Sequence, residues 1–258
     1  MASTHPVFHP RLLASLSMLL GLALSQAEPA WAGAFSVLPI QVRLSSRAPS
    51  ALVTLRSQSA EPLRFQLSVF VWDQSPHGEM QLTPTEDIVF FPSLLTLAPG
   101  EARQVRIGAA TPAVATEKTY RIFVEELPPF EASNPASQIR VLTRMGIPIF
   151  LEPVKLVPGG RIEAMACSHG QVSFQVKNMG NVHFVVQSVR LNGLNAAGAS
   201  LFDRQLAGWY VLAGGSQVYE LQLPTEDCSK IKALAVEVQT EQDTFKDRYE
   251  LPPGACCE

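Results

Sequence analysis

Apolar and polar residues alternate along much of the chain with a period of two, the spacing of half-buried strands. Over residues 63–72, Leu63, Phe65, Leu67, Val69 and Val71 share one face. Val105 and Ile107 repeat the pattern over residues 104–107, and Tyr120, Ile122 and Val124 over residues 120–127. Shorter strand-like runs lie at 35–44, 51–56, 88–91 and 95–97. Turn signals such as Ser75-Pro-His-Gly78 and Ala98-Pro-Gly-Glu101 separate them. Pro39 marks its run as an edge or a bulge, because proline cannot donate to a ladder. The longest run covers residues 139–151 and could extend about 40 Å as a strand.

The second half repeats this style at 161–165, 171–177, 182–191, 217–223 and 233–240. Turn residues fall between the runs, and no helical periodicity intervenes. This predicts an all-β chain of two tandem β-sandwich domains. Pro153 and Pro158-Gly159-Gly160 set the boundary, giving domains over residues 33–153 and 154–258. Residues 1–32 read as a signal peptide. Arg11 supplies a positive start, residues 12–24 are apolar apart from small residues, and Ala30-Trp31-Ala32 is a small-x-small cleavage pattern before Gly33. The apolar run is short for a membrane span, which needs about 20 residues.

Composition narrows the function by exclusion. Lys and Arg number 20 against 23 Asp and Glu, so no charge excess points to nucleic acid. Export implies an oxidising compartment, and Cys167 and Cys228, each beside strand-like runs, are expected to pair. Cys256 and Cys257 form a tail pair, open to a bridge within the tail or to another chain. Cys167-x-His169 with the other cysteines lacks the paired C-x-x-C spacing of a zinc site, so no metal is expected. His5 and His9 lie in the leader, while His77, His169 and His183 lie near turns. No nucleophile elbow, zinc-protease helix motif or phosphate-cradling loop accompanies them. The expectation is a non-enzyme without cofactor.

Three stretches resemble the periplasmic pilus-assembly chaperones of the chaperone–usher pathway. They are Leu97-Ala-Pro-Gly-Glu101 with Val105-Arg-Ile107, Tyr120-Arg-Ile-Phe-Val-Glu-Glu-Leu-Pro128, and residues 139–153 with Ile147-Pro-Ile-Phe150. Asn178-Met-Gly-Asn181 and His183 extend the likeness into the second half. Tyr120-Arg121 and the Ile-Pro-Ile-Phe ending are most similar to the archaic branch. The resemblance implies a periplasmic protein of two tandem immunoglobulin-like β-sandwich domains, whose partners are pilus subunits and an outer-membrane usher. It implies donor-strand complementation, in which a strand of the chaperone fills the groove of an incomplete subunit.

On that reading the lending strand covers residues 139–149, with Ile139, Val141, Thr143, Met145, Ile147 and Ile149 on the partner face. Arg140 and Arg144 lie on the other face. Periodicity alone fits equally a face buried in the domain's own core. Left uncovered, the face would be an apolar patch that invites a partner or a self-capping dimer. The better-known branch anchors the subunit's terminal carboxylate with an arginine and a lysine. Here Gln41 and Pro148 take those positions, leaving Arg43, Arg121 and Arg144 as candidate anchoring cations. The competing reading is a secreted structural or adhesive sandwich that is itself assembled. Strand pattern starting directly after Gly33 favours the chaperone, because a subunit usually carries a disordered extension there.

Overall fold

The computed structural model of the protein describes residues 35–111, 114–129 and 141–255. The expected signal peptide, Ile139, Arg140 and the tail cysteines lie outside the described residues.

The first half contributes ten strands: β1 (Phe35–Leu38), β2 (Val42–Leu44), β3 (Ser50–Ser57), β4 (Leu63–Gln74), β5 (Met80–Pro84), β6 (Ile88–Phe91), β7 (Leu94–Leu97), β8 (Ala102–Ala109), β9 (Lys118–Leu127) and β10 (Arg144–Leu151). One sheet has the order β1-β3-β8-β6, and the facing one β2-β10-β9-β4-β5, with β7 also on β4. Pro39 falls where the chain leaves β1 in the first sheet and enters β2 in the second, which satisfies its missing N–H by ending a ladder there. Phe35, Val37, Val53, Leu55, Val105 and Ile107 from one sheet bury against Phe65, Leu67, Tyr120, Ile122 and Val124 from the other. These are the alternating positions of the sequence, and their burial is the main driving force for the sandwich.

The second half adds β11 (Gly160–Ser168), β12 (Gln171–Asn178), β13 (Phe184–Leu194), β14 (Ser200–Ala207), β15 (Tyr210–Val211), β16 (Ser216–Gln222), β17 (Ala233–Thr240) and β18 (Thr244–Glu250). A single-turn helix, α1 (Thr225–Cys228), precedes β17. The sheets are β11-β12-β16 and β14-β13-β17-β18, with β15 also on β13. Val172, Phe174, Val176, Val189, Leu191, Leu234 and Val238 form the core between them. The architecture is therefore the expected pair of all-β sandwiches.

Two details depart from the sequence reading. The strand expected over 139–151 is regular only from Arg144. In β4 the burial phase changes: Leu63, Phe65 and Leu67 face the first core, whereas Trp72 is buried on the opposite face. Trp72, Phe150 and Leu212, with Tyr210 against them, form a small apolar cluster shared by the two halves.

Candidate functional site

The segment expected to be lent to a partner takes its exposure from sheet order. β10 pairs with β9 along its whole length, from Arg144 opposite Glu125 to Leu151 opposite Lys118. On its other side β2 covers only Ile149, Phe150 and Leu151. From Arg144 to Pro148 that edge has no strand partner among the described residues. Backbone groups alternate in direction along an antiparallel strand. Glu126 N–H donates to the Thr143 carbonyl at 2.9 Å, and Glu152 N–H to the Leu44 carbonyl at 2.8 Å. Odd-numbered residues of β10 thus pair inward with β9, and even-numbered ones present their backbone to the open edge. Arg144 and Gly146 offer both an N–H and a carbonyl there, whereas Pro148 has no N–H and its carbonyl faces the start of the β2 ladder.

The side chains of the expected partner face divide in two. Ile147 is 1% exposed and Ile149 fully buried, both within the first sandwich. These two positions are a correction: the face expected to meet a partner is, at this end, the domain's own core, because β2 and the opposite sheet close over it. Val141 is 81% exposed, Leu142 is also exposed, and Thr143 and Met145 are half-buried. The accessible part of the segment is therefore its N-terminal end.

The opposite face of β10, β9 and β4 carries the cations. Arg144 sits opposite Glu125 in register and pairs with it at 3.5 Å, its guanidinium lying 4.1 Å from the Phe123 ring centroid. Arg43 is exposed and bonded to Glu152 at 3.1 Å. Both are surface cross-strand pairs of the kind that contributes little. Arg121 differs. It is 8% exposed, and no salt bridge reaches it among the described residues. Its guanidinium lies 4.1 Å from the Trp72 ring centroid and 6.0 Å from that of Trp209. Arg121 Nε and Trp72 Nε1 are both buried donors without an acceptor. Burial lowers the Arg121 pKa, and the neighbouring Tyr210 phenol opposes that shift. Each unmet donor of this sort costs roughly 1–3 kcal/mol. Of the three cations singled out by sequence, only Arg121 has unspent hydrogen-bonding capacity in a buried setting.

The second sandwich forms the wall beside Arg121. Gln74 clamps its edge, donating from Nε2 to the Tyr210 carbonyl at 3.0 Å and accepting from Leu212 N–H at 3.2 Å. Val218 N–H donates to the Pro76 carbonyl at 2.8 Å, and Gln217 Nε2 to the His77 carbonyl at 3.1 Å. Glu117 and His183 meet at 2.7 Å, with the His183 ring stacked 3.7 Å from Phe150. Asn181 Nδ2 donates to the carbonyls of Ala115 and Lys155, at 2.9 and 2.8 Å. His183 and Asn181 belong to the second-half stretch picked out by resemblance, whereas Trp72, Gln74, Glu117 and Trp209 carried no sequence signal. Their roles depend on contacts between halves that no local spacing encodes.

The cysteine expectation is corrected. Cys167 carries a free, buried thiol, and Cys228 is disulfide-bonded to a partner outside the described residues. Cys167 Sγ instead contacts the Ala255 carbonyl at 3.9 Å, and burial pushes its pKa up.

Residues 34–157 match the family model described as pili and flagellar-assembly chaperone, PapD N-terminal domain. No curated protein sequence matches the chain. Among solved structures, a chain of the CsuC–CsuE chaperone–tip adhesion subunit pre-assembly complex from archaic chaperone-usher Csu pili of Acinetobacter baumannii is similar. It is 18% identical over 85% of this chain and 98% of that one, with a TM-score of 0.56. The YadV chaperone is 15% identical over 85% of this chain and 100% of its own, with a TM-score of 0.57. A chain from the Salmonella enterica SafA pilin–SafB chaperone complex is 15% identical over 86% of this chain and 98% of that one, with a TM-score of 0.55. These likenesses are likenesses of fold, and they cover both sandwiches.

Proposed function

We propose that the chain works as a pili and flagellar-assembly chaperone, the family whose N-terminal-domain model residues 34–157 match. It binds pilus subunits in the periplasm by donor-strand complementation and delivers them to an outer-membrane usher. The role is one of binding and release, with no covalent step. The open edge of β10 between Arg144 and Pro148 carries this reading. A subunit strand that pairs with this edge gains backbone hydrogen bonds independent of its sequence, and the side chains beyond the edge fill its groove. Ile139, Val141, Thr143 and Met145 are the groove-filling residues, while Ile147 and Ile149 root the strand in the first core. Arg121 receives the subunit's terminal carboxylate, supported by its buried, unspent donor. The division into sandwiches over 33–153 and 154–258 gives the first the strand and the second the wall beside Arg121.

The test is co-purification of subunit with chaperone from the periplasm, paired with thermal unfolding of each variant. Val141→Glu is expected to abolish capture with little change in Tm, because its charge enters a dry groove only in the complex. Ile147→Glu is expected to unfold the isolated protein. Wild-type capture by Val141→Glu would place the binding surface elsewhere.

A further inference from the structure

Trp209 is a large aromatic residue left 49% exposed beside an otherwise closed junction. Its backbone is held firmly. Val186 N–H donates to the Trp209 carbonyl at 2.9 Å, and the next residue's carbonyl accepts from Gln74. Gly208 makes the approach feasible, since a Cβ there would lie 2.1 Å from the Val186 carbonyl oxygen. The indole meets the Tyr210 ring edge-on at 5.3 Å and stays half exposed to solvent. Arg121 lies 6.0 Å from its centroid. A rigid, half-exposed indole next to a buried cation without a carboxylate is the arrangement that recognises an aromatic group carrying a negative charge.

We propose that Trp209 selects the residue beside the anchored carboxylate, favouring a partner chain that ends in an aromatic residue. The terminal ring packs on the exposed indole while the carboxylate accepts from Arg121. This rests on the reading that Arg121 receives a terminal carboxylate. The selectivity comes from Trp209, since Arg121 touches only the group common to all C-termini. An aromatic pair contributes enough to favour such a terminus by roughly two- to tenfold.

The experiment titrates the full exported chain, labelled at its tryptophan indoles, with N-acetylphenylalanine, N-acetylalanine and N-acetylphenylalanine amide, read by NMR. The phenylalanine acid is expected to bind roughly two- to tenfold tighter than the alanine acid. Trp209→Ala, at a half-exposed position, is expected to erase that preference, so that the two acids bind alike. Trp209→Phe is expected to retain part of it. Arg121→Gln is expected to weaken both acids together. Equal binding of the two acids, a preference that survives Trp209→Ala, or no binding of either acid overturns the role of Trp209. If the amide binds as well as the acid and Arg121→Gln changes nothing, the carboxylate reading fails, and the selectivity claim fails with it. Equal binding of both acids with loss on Arg121→Gln removes the selectivity alone.

Discussion

Glu117 Oε1 lies 2.7 Å from His183 Nδ1, with both side chains buried and on opposite sides of the junction between sandwiches. The same oxygen accepts from the His183 backbone N–H at 3.0 Å. Glu117→Ala would leave both groups without an acceptor at a site closed to water. The expected loss is about 3 kcal/mol or more, within the range for breaking a buried pair. Glu117→Gln keeps an acceptor oxygen, so it should lose less. Urea unfolding of the two variants checks the order. Equal loss by both would show that charge, rather than the acceptor, matters at this contact.

Asn178 explains the first residue of the Asn-Met-Gly-Asn stretch. It is fully buried, and its Nδ2 donates to the carbonyls of Val182 and Val211 at 2.8 and 3.0 Å. Its Oδ1 accepts from Gly180 N–H at 2.8 Å. Asn178→Ala is expected to cost about 2–4 kcal/mol, since three backbone groups lose a partner at once. Asn178→Asp replaces the donor with a carboxylate facing two carbonyls and should cost at least as much. Denaturation midpoints decide the matter. A loss within measurement error for Asn178→Ala would mean that water replaces the side chain.

Tyr219 is stacked on Phe174 at 5.4 Å, with its hydroxyl buried and without a partner. Burial pushes its pKa up to about 12. The fold therefore keeps the neutral phenol while the unfolded chain ionises near the ordinary value of about 10. Above that pH the unfolded state binds fewer protons, so stability falls as pH rises towards 12 and is untouched below 10. Tyr219→Phe removes both the orphan hydroxyl and the titration. It should raise stability at neutral pH by about 1 kcal/mol and flatten this part of the alkaline decline. An unchanged alkaline profile in the variant would assign the decline to other groups.

Cys167 should resist thiol reagents in the native protein and react only on unfolding, because its thiol is buried and its pKa raised. Peptide mapping without reduction should find Cys228 bridged and Cys167 unmodified. Cys167→Ser should leave the bridge at Cys228 intact. A Cys167–Cys228 peptide in the map would reverse the assignment.

The fold class was legible because the central strands β4 and β12 bury every second residue over part of their length, while β9 is buried on both faces from Thr119 to Val124. β5, β14 and β18 were not, because these edge strands bury at most one residue each and carry no period-two signal. The strand expected to be lent to a partner was legible as a strand but not as a divided one. Alternation runs unbroken through Val141, Met145, Ile147 and Ile149, and only packing against the rest of the sandwich, which buries Ile147 and Ile149 but not Val141, decides which are covered. Arg121 was visible as a cation in an apolar strand, yet its unspent donor depends on Trp72, which is 49 residues away in sequence. The cysteine pairing failed for a similar reason: strand context marks two cysteines as buried without marking them as neighbours.

The outward amides of Arg144 and Gly146 turn β10 into a built-in occupancy gauge. In an empty molecule they should trade hydrogen for deuterium far faster than the inward amides of Met145 and Ile147, which β9 holds. A seated strand slows the two outward amides and leaves the inward pair as they were. Pro148 has no amide hydrogen, so it marks the end of the scale. Protection reaching Gly146 would report a fully zipped ladder, and protection stopping at Arg144 one that is only partly closed.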